Sequence, residues 1–480
     1  MPVAVDQAVL DVPALRWGEP YASLEKTDVR DFRSGEVIAR VGQVNAGLVR
    51  RDLRRAGDAA AALRKWTAEQ VLAICAKAGD LFMHGELAVG GRGQSPDDYV
   101  SVLSRTSGLP HVLCRRNMAK IHTVLTTMGA IVRGLTRGLH TSILDTGTGT
   151  HDGLPVSFVP QTDALGVVLP SNSPGVNSIW LPALALRTPV VLKPGRDEPW
   201  TPLRLTAALV AAGLPPQAIG FYPTDHEGAD TIIRACGRSI LFGDDKTIAR
   251  YAGNPAVEVH GTGRSKVILD EAAAARWEDH LEVLIASVLD NGGRSCINTS
   301  CIVTPANGDA IADALAARLA AVSPLPPDDP EAKLAAFTNA TVAEAIDARI
   351  TQDLQVPGCD DITARHRPGP RLVRDGGATY LLPTVTRCRR LDHPLANTEF
   401  LLPYVSVVEL PQRDILDAIG PTLVATVISS DAGFVQAALR CRNIDRLNLG
   451  PIPTSHVEWD QPHEGNLFDF LYRRRAIQRA

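Results

Sequence analysis

Between residues 164 and 290 short apolar runs rich in β-branched residues alternate with longer amphipathic stretches. Residues 164–169, 189–192, 218–222, 239–242 and 257–260 hold few polar positions, which is the pattern of parallel strands buried on both faces. Residues 177–186, 202–212 and 246–251 read as helices, and the second of them runs into Gly213 and Pro215-Pro216, a helix stop. Strand and helix alternating at this pace predict right-handed crossovers and a doubly wound α/β sheet, with ligands at the carboxyl ends of its strands. Asn172, Lys193, Gly243 and His260 fall at or just after those ends. A mostly helical region, including 52–82 with its alanine-rich face, precedes the sheet and reads as a layer packed on it. After Lys266 a second α/β unit begins and runs to 423–428, interrupted by a surface loop at 324–330.

Composition adds mainly exclusions. A chain of 480 residues exceeds what one core usually supports, so two or more lobes are expected. With 49 Lys plus Arg against 53 Asp plus Glu, a balance of −4, there is no electrostatic reason to expect nucleic acid or an acidic membrane as partner. No apolar run approaches the ~20 residues of a membrane span. The start, residues 1–11, holds acids and lacks a cationic segment ahead of an apolar one, so no signal peptide is expected and the location reads as cytoplasmic. The eight cysteines show no framework spacing and read as free thiols. The run Arg473-Arg474-Arg475 reads as a solvated face.

Candidate chemistry centres on Asn291-Gly292-Gly293-Arg294-Ser295-Cys296. A cysteine after paired glycines at a helix end is placed to expose its thiol beside free backbone amides, which suits a nucleophile. The alternative is a small buried hydrophobe, the usual state of a free cysteine. Cys296 and Cys301 form a C-x4-C pair with no second pair of ligands, so no metal is expected. Gly261-Thr262-Gly263-Arg264-Ser265-Lys266 lacks the spacing of a phosphate loop and reads as a tight turn between strands.

Pro170-Ser171-Asn172-Ser173-Pro174, Val190-Val191-Leu192-Lys193-Pro194, the Cys296 motif and Glu399-Phe400-Leu401-Leu402-Pro403 occur in that order. Together they resemble the aldehyde dehydrogenase superfamily over about residues 50–450. The resemblance implies a fold of two doubly wound, Rossmann-like α/β lobes plus a small oligomerisation element. It implies a cofactor domain at 1–134 and 161–266, a catalytic domain at 267–450, and oligomerisation and tail elements at 135–160 and 451–480. It assigns the nucleophile to Cys296, the oxyanion amide to Asn172, contacts with the cofactor riboses to Lys193 and Glu399, and the helix facing the pyrophosphate to the turn at Gly243. A homodimer or homotetramer is expected, built on the hairpin region before residue 160.

Two departures shape the functional expectation. Where hydrolytic members carry the glutamate that activates water, this chain places His260; Glu258, one pleat away, is the weaker substitute. Lacking that base, the chain most resembles the acyl-CoA reductase branch, typified by the fatty-acyl reductase of bacterial bioluminescence and by relatives that reduce aryl acids in secondary metabolism. The expected reaction is reduction of an acyl thioester or acyl adenylate to the aldehyde through a Cys296 acyl-enzyme, with an acyl-activating ligase as a partner. His260 would carry a proton, or serve only as a hydrogen-bonded strand end. The alternative is a hydrolytic dehydrogenase that oxidises an aldehyde to the acid. The second departure is Arg196, where NAD-binding members often hold a glutamate; a guanidinium suits a 2′-phosphate, so NADPH is the expected cofactor, with NADH second. Asp244 and Asp245 after Gly243 would repel phosphate unless they cap the helix.

Overall fold

The computed structural model describes residues 9–478; of the 1–11 stretch read for a leader, residues 1–8 lie outside the described residues. The chain forms two compact units. The first holds the chain through Ser107, then Cys114–His260, and resumes at Trp459; the second holds Gly108–Leu113 and Gly261–Glu458. The 135–160 region and the tail from Trp459 thus fall within the first unit. No described helix is long and apolar enough to cross a membrane.

The first unit is built on a seven-stranded sheet in the order Val257–His260, Arg238–Phe242, Leu165–Val168, Val190–Lys193, Ile219–Phe221, Ala14–Arg16 and Glu19–Tyr21. The first five strands are parallel and coincide with the apolar runs, because Leu165, Val167, Val190, Val191, Leu192, Ile219, Phe221 and Ile240 are fully buried. The last two are antiparallel and only three residues each, too short to show a period. Strand order reverses at Leu165–Val168, with Val190–Lys193 on one side and Arg238–Phe242 on the other, and the carboxyl ends at such a switch point are where open α/β sheets bind ligands. The helix expected over 177–186 is instead two turns, Asn177–Trp180 and Pro182–Ala185, because Pro182 has no N–H to continue the first. The layer expected over 52–82 is made of Ala46–Leu53, Ala56–Leu63 and Ala68–His84, the last started by a Thr67/Gln70 capping box. Thr148–His151 and Leu154–Pro160 form a hairpin, which Tyr472–Arg475 extends as a third strand with its three arginines exposed.

The second unit carries another seven-stranded sheet, in the order Cys359–Asp361, Thr384–Cys388, Tyr404–Glu409, Thr299–Thr304, Ser265–Leu269, Thr422–Ile428 and Ile444–Leu449. All neighbours are parallel except the first pair. Alternate residues feed two separate cores: Val267, Leu269 and Ile302 pack on one face, Ile268, Cys301 and Val303 on the other. The segment 261–264, expected as a turn between strands, leads from the sheet of the first unit into that of the second.

Candidate active site

In the second unit the helix Leu281–Leu289 stops, and Asn291, Gly292 and Gly293 follow with φ of 52°, 67° and 69°. Three successive left-handed residues reverse the chain, which two glycines and an asparagine do at little steric cost. A Cβ on Gly293 would lie 2.3 Å from the Pro403 nitrogen, so this turn sits directly on the segment that carries Glu399. Side chains knit the next turn: Asn291 donates to Ser295 Oγ at 3.0 Å, and Asn298 accepts from Ser295 N–H at 2.9 Å while donating to Asp290 O, also at 2.9 Å. Arg294 is buried, stacks on Phe337 and donates to Ala336 O at 2.5 Å; burial pushes its guanidinium down to about 10.

Cys296 emerges from this frame partly exposed, whereas Cys75, Cys114, Cys236, Cys301 and Cys388 are buried. Burial pushes the Cys75 and Cys236 thiols up to about 12, the inert condition of a packed cysteine. The backbone of Cys296 is held from behind: Ser265 Oγ–H donates to its carbonyl at 2.8 Å, and a Cβ on Gly263 would meet that oxygen at 2.0 Å. Glu399 Oε2 accepts the N–H groups of Gly263 at 2.8 Å and of left-handed Arg264 at 3.0 Å. The carboxylate assigned by resemblance to a ribose therefore also fixes the turn that supports Cys296. Lys266 is fully buried, donates to Arg264 O and Thr422 Oγ1, and is pushed down by burial to about 8.

In the first unit Asn172, Lys193 and Gly243 stand at or after the carboxyl ends of three neighbouring strands. Asn172 is half-buried in the loop before the short turn Pro174–Val176. The Lys193 loop folds onto it: a Cβ on Gly195 would lie 2.5 Å from Pro170 O, and Asp197 N–H donates to Ser171 Oγ at 3.2 Å. Burial lowers the Lys193 ammonium against the opposing pull of Asp197. Arg196 is exposed. Gly243 N–H donates to His260 O at 3.1 Å. Asp244 caps the helix Asp245–Ala249, accepting from Thr247 N–H at 2.8 Å, so its charge is turned onto the helix amides.

His260 ends the strand Val257–His260 with 3% of its surface exposed. Its Nε2 lies 3.1 Å from Glu258 Oε1, its Nδ1 contacts the Glu464 carboxylate, and its ring lies against Phe242 and His463. Burial by itself would lower the imidazole; the two carboxylates outweigh it and push His260 up to about 10, so it is an imidazolium at neutral pH. Glu464 arrives on the segment that returns to the first unit at Trp459. That segment is fastened at Gly134, where a Cβ would lie 1.9 Å from Asp460 O, and by Asn466 Nδ2 donating to Leu135 O at 2.9 Å. Glu258, His463 and Glu464 line one partly open cleft with Ile131, Ile179 and Trp459. Sequence reasoning did not find Glu464; the one signal was the unusual Pro462-His463-Glu464-Gly465-Asn466.

Among proteins of known sequence, geranial dehydrogenase of Castellaniella defragrans is 30% identical over 175 residues, 33% of this chain and 35% of that protein. Phenylacetaldehyde dehydrogenase of Pseudomonas fluorescens is 30% identical over 142 residues, 28% of either chain. The matches thus span about a third of those relatives or less. An indole-3-acetaldehyde dehydrogenase solved in complex with NAD+ shares the fold, with a TM-score of 0.76 at 16% identity over 98% of this chain and 96% of that one. Residues 19–420, most of the chain and the greater part of both seven-stranded sheets, match the aldehyde dehydrogenase family model, and the chain belongs to that family.

Proposed function

We propose that the protein is an NAD(P)-dependent dehydrogenase that oxidises an aldehyde to the acid through an acyl group carried on Cys296. The observation that supports this direction is Glu464, a carboxylate that the tail brings against His260, the residue at the strand-end position. The relatives named above as aldehyde dehydrogenases support the same reading. The Cys296 sulfur adds to the aldehyde carbon, and the Asn172 amide and the Cys296 N–H take the oxyanion, donors whose loss typically costs ~10²–10³ in rate. A nicotinamide held at the strand ends would supply the hydride acceptor, and loss of hydride from the adduct would leave a thioester on Cys296. The donor set at the strand ends fits such a dinucleotide: the Lys193 ammonium, the exposed Arg196 guanidinium and the Gly243 turn, with Asp244 engaged in capping. Water then attacks the thioester while Glu464, fixed by the imidazolium, takes its proton.

The second reading is reduction of an acyl thioester to the aldehyde. It is favoured by His260 itself, a buried cation that ties up both flanking carboxylates. A panel of aldehydes with NAD+ or NADP+ and no added thiol decides between them. Acid should form, and Glu464→Gln should keep the first burst of reduced cofactor while slowing later turnover by ~10²-fold or more. Aldehyde formation from acyl-CoA and NADPH, with no acid from any aldehyde, would establish the second reading instead.

A further inference from the structure

The sheet of the second unit ends on the short strand Cys359–Asp361, paired antiparallel with Thr384–Cys388 so that Cys359 stands opposite Cys388. Arg389 N–H donates to Gly358 O at 2.7 Å and Ile362 N–H to Val385 O at 2.9 Å. Hydrogen-bonded rungs therefore fall on either side, and the two cysteines occupy a non-hydrogen-bonded rung. At such a rung the Cα atoms are about 4.5 Å apart and the side chains converge, within the ~4.4–6.8 Å that a disulfide spans. The sulfurs are already in contact at 3.2 Å, with the Cys388 S–H donating to Cys359.

We propose that Cys359 and Cys388 form an oxidation site, closed into a disulfide by a hydroperoxide. The Cys359 sulfur attacks hydrogen peroxide; the O–O bond breaks, a sulfenic acid forms, and the leaving hydroxide takes up the thiol proton as water. The Cys388 sulfur then attacks Cys359; the S–S bond forms, the S–O bond breaks, and hydroxide leaves with the Cys388 proton as a second water. Two thiols lose two electrons and the peroxide gains them. The roles follow from position. Cys359 is only partly buried, on the edge strand, and the hydrogen bond from Cys388 favours its thiolate, while Cys388 is fully buried and already directs its proton to Cys359.

His393 lies within 4.8 Å of both sulfurs, an arrangement that would also suit a thiophilic metal. Its ring is already committed, however: Nδ1 accepts Leu395 N–H and Nε2 donates to Val356 O, each at 3.1 Å. A metal would therefore find two thiolates and no free imidazole lone pair, short of the four ligands of a structural site. The disulfide would instead fasten the edge strand to the strand that leads into the Glu399 segment, closing a loop of about 30 residues.

The test treats the full-length protein with a small excess of hydrogen peroxide, alkylates the remaining thiols and maps peptides without reductant. A Cys359–Cys388 linked peptide is expected, reversed by dithiothreitol, with a thermal midpoint roughly 5 °C above that of the reduced protein. Cys359→Ser and Cys388→Ser should each remove the linked peptide, and Cys296→Ala should retain it. Recovery of both cysteines as free thiols, sulfinic acid on Cys359 with Cys388 still alkylatable, or a bound zinc ion that blocks both would overturn the proposal. All three are read on the unmodified protein and do not depend on the folding of a variant.

Discussion

An imidazole enclosed between Glu258 and Glu464 holds its proton far more tightly than one in water. Its folded value of about 10 lies above the ~6.5 of an unfolded histidine. The stabilisation is therefore complete below ~6.5 and is lost as pH rises through about 10. Lys266 contributes the opposite slope, since a lysine lowered to about 8 opposes folding less once the unfolded chain also loses its proton near ~10.4. The informative quantity is thus the difference between the unmodified protein and His260→Gln, followed by thermal unfolding from pH 6 to 10. The advantage of the unmodified protein should shrink steadily as pH rises. A difference that stays level would show that His260 carries no charge.

At the scale of elements, the turn Asn291–Gly293 makes a separable prediction. Gly293→Ala adds a Cβ to a left-handed residue and drives it into the Pro403 backbone, which should cost more than about 1 kcal/mol and displace Cys296, so turnover should fall further than stability alone explains. Gly253→Ala is the control: it has φ of +80° but open space around it, so denaturation should show strain without loss of turnover. This turn was legible in the sequence because its cause is local, two glycines beside a cysteine. The five parallel strands were legible for a related reason, since burial on both faces writes a continuous apolar run into each. The two three-residue strands near the start, Ala14–Arg16 and Glu19–Tyr21, were not, because they are too short to carry a period. Nor was the hold of Glu399 on the Gly263–Arg264 turn, because its partners are backbone amides that any residue could supply. Glu464 escaped for a third reason: a charge pair between residues about 200 apart leaves nothing in either neighbourhood that names the partner, and the unusual 462–466 run does not point to His260. The expectation of a reductase rested on the lack of a carboxylate at position 260, and a local reading could not see Glu464 approach His260.

On the scale of the whole molecule, the first unit is assembled from distant parts of the chain. Its closing piece brings Glu464 to His260, Asn466 to Leu135 and Tyr472 to Leu186, where the tyrosine hydroxyl donates at 2.7 Å. Removing residues 459–480 should therefore loosen the first unit far more than the second. Hydrogen exchange should show lost protection in the strand Val257–His260 and around Leu135, with the strand Thr299–Thr304 unchanged. Equal loss in both units would mean that they unfold as one.

The pairing of His260 with Glu464 also sets a clock on biosynthesis. A ribosome adding ~5–20 residues per second finishes residue 260 roughly 10–40 s before it reaches residue 464. During that interval the nascent first unit has an imidazole at a strand end with only Glu258 to balance it, and one wall of its cleft is missing. The candidate site on that unit cannot be completed in the order in which it is written, and a newborn chain remains open at that place until its counter-charge has been translated.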